Sequence, residues 1–163
     1  MIPQRYPIFN RLPSGVTLSI FQLYNSTTEI EVFMDIVVDT SVILGVILNE
    51  AHKPALVAHT RGANLIAPPT LHWEIGNAFS AMFKRQRMTI EQANAALETY
   101  QKIVIRFSPV DLAPALVLAD MLDIYAYDAY MILCAQKHRC PLLSLDGGLK
   151  EAAKRVQVEI LEV

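Results

Sequence analysis

The chain has 163 residues, 53% of them apolar and 18% charged, and a net charge of −2. That length argues for one domain, able to hide roughly 70% of its unfolded surface. The composition excludes intrinsic disorder, and the charge balance excludes a strongly basic nucleic-acid sleeve or a polybasic membrane anchor.

Residues 1–33 carry Pro3, Pro7 and Pro13, then Ser14-Gly15, a β-leaning run over 16–24 and a turn or cap cluster at 25–28. They show neither a helical period nor a secretory-signal pattern. They read as an N-terminal arm or extension ahead of a compact domain over 34–163, and Met34 is itself a candidate start. Ile36-Val37-Val38 is the continuous β-branched run of a strand buried on both faces. Residues 40–49 read as a helix, and Asp39 keeps the apolar run over 36–48 from reaching the ~18 residues of a membrane span. A second helix carries Pro54 in its first turn and stops at Arg61-Gly62.

A strand at 64–67 ends at Pro68-Pro69. The spacing of Leu71, Ile75, Ala78, Phe79 and Met82 predicts a helix over 70–84, with Trp73 in its core. Thr89 and Gln92 form a capping box for a helix to about Tyr100. A strand at 103–107 follows, then a helix capped by Asp111 that runs to about Leu122, and another over 127–137. Cys134 and Cys140 make neither a C-x-x-C pair nor a zinc set, and read as free thiols in a reducing compartment. A strand at 141–145, a short helix from Asp146 through Arg155 and a strand at 157–161 complete the chain. Alternating β and α units argue for an α/β fold with a mostly parallel sheet covered on both faces. The expected location is cytoplasmic, away from membranes.

Four acidic residues stand out by placement. Asp39 and Asp146 each follow a strand directly, where open α/β sheets bind their ligands. Glu74 and Asp128 fall near helix starts that can face the same edge. Asp128 and Asp146 can each serve as an ordinary helix cap, worth about 1 kcal/mol. Glu74 sits in a largely apolar helix, where a buried carboxylate needs a partner. If all four converge, each pair at 4 Å repels by about 4 kcal/mol at an effective dielectric of 20. Such a cluster calls for cations, and all-oxygen donors favour Mg²⁺ or Mn²⁺ over zinc. The chemistry that follows is hydrolysis of a phosphodiester.

The four positions, at intervals of 35, 54 and 18 residues, lie in Val38-Asp39-Thr40-Ser41, Pro69-Thr70-Leu71-His72-Trp73-Glu74, Tyr127-Asp128-Ala129-Tyr130 and Leu143-Ser144-Leu145-Asp146-Gly147-Gly148. In this ordered set the sequence resembles the PIN-domain nucleases, and in particular the VapC-type toxins of prokaryotic toxin–antitoxin pairs. The resemblance implies a three-layer α/β/α sandwich with a mostly parallel central sheet. It implies that Asp39, Glu74, Asp128 and Asp146 hold Mg²⁺ or Mn²⁺, the last being the more variable position. Ser144 stands where the family usually has Thr and keeps its hydroxyl, while Gly147-Gly148 departs from the usual pattern. Thr40 and Ser41 match hydroxyls beside the first Asp. Asn77, three residues after Glu74, is expected to support it from the same helix face.

The activity implied is endoribonuclease cleavage of RNA, leaving a 5′-phosphate and a 3′-hydroxyl. The partners implied are a cognate antitoxin and a second copy in a homodimer, with the region of Phe79, Met82 and Phe83 as a candidate contact. Lys84-Arg85 with Arg87, Lys137-His138-Arg139, and Lys150 with Lys154-Arg155 are candidate RNA contacts. Trp73 is a lesser candidate for stacking on a base. The four histidines form no metal pattern. The competing reading is a PIN-like module that binds RNA or protein without cutting. A phospho-receiver domain would need a Lys after the last core strand, and a haloacid-dehalogenase-type phosphatase would need Asp rather than Ser41. A flap-type nuclease would need a longer chain.

Overall fold

The computed structural model describes residues 33–163, so the arm expected over 1–33 lies outside the described residues apart from Phe33. Among the described residues five strands form one parallel sheet: β1 (Met34–Val38), β2 (Ala63–Ala67), β3 (Ile105–Phe107), β4 (Leu142–Leu143) and β5 (Ile160–Leu161). Their order is β3-β2-β1-β4-β5. Among the described residues the helices are α1 (Thr40–Ile47), α2 (Lys53–Thr60), α3 (Thr70–Lys84), α4 (Ile90–Tyr100), α5 (Leu112–Leu122), α6 (Ala126–His138) and α7 (Gly147–Arg155).

Strand β1 is central because Ile36, Val37 and Val38 are apolar on both faces, and all three are fully buried. The chain steps from β1 through β2 to β3, then returns to the other side of β1 with β4. Right-handed crossovers on either side of that reversal place α1–α4 on one face and α5–α7 on the other. Consistent with this, α1 touches α2, α3 and α4, while α6 covers β1, β2 and β4 and packs on α5. This is the α/β/α sandwich expected. Leu71, Ile75 and Phe79 bury one stripe of α3, and the Thr89–Gln92 capping box starts α4. No helix among the described residues is long and apolar enough to cross a membrane.

Several boundaries differ from expectation, each for a local reason. Strand β3 begins at Ile105 rather than 103, because the Ile103 N–H is taken by the Tyr100 carbonyl. Strand β5 is confined to Ile160–Leu161, because Gln157 turns left-handed at φ 61°. Helix α1 ends at Ile47 because Asn49 does the same at φ 59°, with Glu50 N–H donating to the Gly45 carbonyl. Asp111 stands at the N-cap of α5, but its side chain makes no capping hydrogen bond. Strand β4 stops at Leu143 for a reason that belongs to the site.

Candidate active site

The reversal of strand order falls between β1 and β4, where an open α/β sheet parts and takes a ligand. Asp39 and Ser144 occupy that seam, and both are buried. Asp39 is the N-cap of α1, and its Oδ1 accepts from the Thr40 N–H at 2.6 Å. Its Oδ2 accepts from Ser41 Oγ at 2.6 Å and from Ser144 Oγ at 2.9 Å. Each hydroxyl also accepts one backbone donor: Leu145 N–H on Ser41 Oγ and Asp146 N–H on Ser144 Oγ, both at 2.9 Å. Those donors are therefore withdrawn from the sheet, and β4 ends two residues before the expected Leu145. The loop after β4 is thereby tied to the start of α1. Asp146, exposed, caps α7 by accepting from Leu149 N–H at 2.9 Å.

Glu74 enters from the second turn of α3. Its Oε2 accepts from Thr40 Oγ1 at 2.7 Å, which couples it to the residue after Asp39. Its Oε1 is buried and has no hydrogen-bond partner among the described residues. Thr70 Oγ1 is buried nearby in the same condition, close enough to favour the charged carboxylate but outside bonding geometry. Burial pushes the Glu74 carboxyl above its ordinary value, the Thr40 hydrogen bond opposes this, and the charges of Asp39 and Asp128 push it further up. Asp128 lies in the first turn of α6 and is half-buried. Burial raises its pKa first, then the charges of Asp146 and Asp39, against the Tyr125 backbone N–H.

Four carboxylates from four segments thus act on one another at one edge, and none of them is in an ion pair among the described residues. No three acidic, His or Cys side chains among the described residues are close enough together to form a finished metal cage. The donor chemistry nevertheless fits a hard divalent cation: every donor is oxygen, and Glu74 Oε1 is a buried carboxylate oxygen without a partner.

Of the residues singled out from sequence, Asp39, Thr40, Ser41, Glu74, Ser144 and the Asp146 backbone are joined by hydrogen bonds, and Asp128 is near enough for its charge and those of Asp39, Glu74 and Asp146 to be felt. Asn77 is not joined to them: it is exposed and makes no hydrogen bond to the cluster among the described residues. Trp73, expected in the core, is instead 69% exposed. Phe79 is buried, and so is closed to any partner. His72 hydrogen-bonds Tyr100 and packs on Phe107, and His138 bonds Ser108. Lys150 and Lys154 pair with Glu162, Arg155 donates to the Leu122 carbonyl, and Lys137 donates to the Pro109 carbonyl. Lys84, Arg85 and Arg87 are exposed and in no ion pair among the described residues. Both cysteines are free, and burial pushes the Cys134 thiol up to about 12. Thr70, which sequence reasoning passed over, lies one turn before Glu74 on the same face, and that spacing is the signal that could have found it.

Known proteins agree with this architecture. Residues 36–155 match the model of the PIN domain family. A relative named VapC ribonuclease Mb0985, from Mycobacterium bovis, is 26% identical over 119 residues, 73% of this chain and 91% of its own. Ribonuclease VapC9 from Mycobacterium tuberculosis matches to the same extent, 26% over the same share of each chain. Among solved structures, PAE2754 from Pyrobaculum aerophilum superposes with a TM-score of 0.62 at 20% identity, over 78% of this chain and 83% of its own. FitAcB from Neisseria gonorrhoeae superposes with a TM-score of 0.56 at 17% identity, over 78% and 96%. With its parallel sheet, its acidic seam and a family match across most of its length, the chain belongs to the PIN domain family and is similar to VapC ribonucleases.

Proposed function

We propose that the chain is a divalent-metal-dependent endoribonuclease that hydrolyses RNA phosphodiester bonds as the toxin component of a type II toxin–antitoxin pair in the cytoplasm. The observation that carries this reading is the seam itself: the Glu74 carboxylate, with one oxygen buried and unpartnered among the described residues, is bonded to Thr40 beside Asp39, and the charges of Asp39, Asp128 and Asp146 add to its edge without an ion pair among the described residues. The name of the VapC relatives supports RNA as the substrate. These four residues would hold Mg²⁺ or Mn²⁺. When bound, such an ion lowers the pKa of water and stabilises charge on the departing oxygen.

The chain's own residues supply orientation. Ser41, Ser144 and the Thr40 N–H fix both oxygens of Asp39, and the Thr40 hydroxyl fixes one oxygen of Glu74. Preorganised ligands need little rearrangement when charge develops. The Leu149 N–H fixes one oxygen of Asp146. Lys84, Arg85 and Arg87 supply cations for the RNA backbone.

A cognate antitoxin answers the acidic edge with complementary charge. A second copy covers α5, which with the following turn exposes Leu112, Leu116, Val117, Met121 and Tyr125. At roughly 200 Å² per fully exposed large side chain, these five, 54–84% exposed, offer on the order of 600 Å². That approaches the ~800 Å² per partner of a stable interface. This face is larger than the one expected at Phe79, Met82 and Phe83. Val117→Asp should convert a dimer to a monomer in sedimentation; an unchanged mass would remove α5 from the interface.

The test of the activity is cleavage of a mixed RNA pool with Mg²⁺ or Mn²⁺, beside Asp39→Ala and EDTA controls. Cutting that both controls abolish is the expected result. No cutting, with no effect of either ion on the melting temperature, would overturn it in favour of a PIN-like binding module.

A further inference from the structure

Trp73 is the chain's single tryptophan, and it stands next to Glu74 with 69% of its surface exposed. An indole left in water presents a large apolar face that invites a partner. The fold does not require it, since α3 is anchored through Leu71, Ile75 and Phe79. One turn on, Gly76 and Asn77 are exposed as well. Glycine inside a helix is destabilising relative to alanine. A Cβ at Gly76 would nevertheless meet no atom within 4 Å. Protein contacts therefore do not demand this glycine, and its effect is to leave bare helix surface beside the indole. Tyr127, the residue before Asp128, is also exposed, its ring set edge-on to Tyr130 at 6.0 Å between centroids. Two of the four carboxylates thus carry an exposed aromatic ring at the preceding position.

We propose that Trp73, with Gly76 and Asn77 beside it and Tyr127 as a second ring on the Asp128 side, forms a stacking platform for an unpaired nucleobase of single-stranded RNA. The proposal rests on the nuclease reading and adds to it a preference for unpaired substrate. The seam repels phosphate, so a neutral π-face adds affinity there without adding charge. Bases inside an RNA duplex are stacked on one another and offer no free face, whereas a single strand does. Gly76 lets the base approach the helix closely, and the Asn77 amide can hydrogen-bond its edge.

Because Trp73 is the only indole, its fluorescence reports on the platform directly. The full chain with Mg²⁺ is titrated with a short single-stranded RNA carrying phosphorothioate linkages to slow hydrolysis. DNA of the same sequence and a blunt RNA duplex are titrated in parallel. Single-stranded RNA should quench the emission, and the duplex should not. Trp73→Ala should weaken binding of labelled single-stranded RNA by about five- to 150-fold, the loss expected for one stacked base. It should raise KM while leaving kcat near the parent value, and Trp73→Phe should restore most of the affinity. Gly76→Gln should raise the melting temperature and still weaken binding, a combination that a structural role for Gly76 does not produce.

Metal-dependent cutting by the parent, with unmoved emission and a parental KM for Trp73→Ala, would overturn the platform and leave the nuclease reading intact. Quenching by DNA but not RNA would overturn RNA as the source of the base. Emission that shifts with protein concentration alone would assign Trp73 to a contact between copies and overturn the proposal. RNA that is neither bound nor cut would overturn both readings.

Discussion

Strand β1 carries one aspartate near each end, and the two are treated in opposite ways. Asp35, near its start, accepts from Arg106 at 2.8 Å and from Asn64 at 3.0 Å. Its charge is matched by a cation. Asp39, just past its end, is held by two amides and two hydroxyls, and its charge acts on the carboxylates of Glu74 and Asp128. Its geometry is fixed, but its charge is not matched. Both are hydrogen-bonded aspartates at the ends of one strand, so hydrogen bonding alone does not mark a functional group. The difference lies in whether a counter-charge is built in or left to be supplied.

The comparison breaks most visibly in activity. Asp39→Asn should lower RNA cleavage by about a thousandfold, as loss of a preorganised charge-stabilising group does, while Asp35→Asn should leave the rate near the parent value. Equal losses would mean that the seam is not the active site. Binding of the proposed cation is next. Mg²⁺ at a hundred times its dissociation constant should add about 2.7 kcal/mol to the parent's stability and nothing to Asp39→Asn, read from melting curves. Ser144→Ala should then cost about 2 kcal/mol, since Asp39 Oδ2 and the Asp146 N–H both lose a partner. Ser144→Thr, which keeps the hydroxyl, should not.

The charge mismatch should also be visible as pH dependence. The Glu74 carboxyl is raised in the folded protein, so across the window above its ordinary value the folded state binds more protons than the unfolded state. Its contribution therefore falls as pH rises through that window and is largest on the acid side. Melting curves of the metal-free protein should show Glu74→Gln more stable than the parent at neutral pH, with the gap closing as pH falls. A gap that widens on acidification would mean that Glu74 is stabilised as a carboxylate.

Much of this was legible in the residues. The run Ile36-Val37-Val38 announces a strand buried on both faces, and an acid directly after a strand falls at the binding edge of a parallel sheet. The stripe of Leu71, Ile75 and Phe79 defines the buried face of α3. That same stripe locates Trp73, which lies two residues from Leu71, about 200° around the helix, on the solvent side. Its hydrophobicity masked its position. The strand ends were hidden because the Ser41 and Ser144 hydroxyls that end β4 act across 104 and 105 residues. Helix stops were hidden because Asn49, Gln86, Asp123, Arg139 and Gln157 take the left-handed position that glycine usually fills. Gln86→Gly should accordingly stabilise the domain by about 0.5–1 kcal/mol, the smallest effect expected here, measurable by urea unfolding. No gain at all would mean that the turn tolerates glutamine without strain.

The contact between Asp39 and Ser144 has a consequence for the order of events during synthesis. Asp39 leaves the ribosome ahead of Asp128, Ser144 and Asp146, which follow it by 89 to 107 residues. Until then β1 lacks its β4 neighbour and the seam does not exist. A nascent chain therefore lacks the acidic edge however much of the segment before Asp128 has folded, and the edge is assembled only once residues through Asp146 have emerged. A partner translated beforehand would meet the edge as it forms.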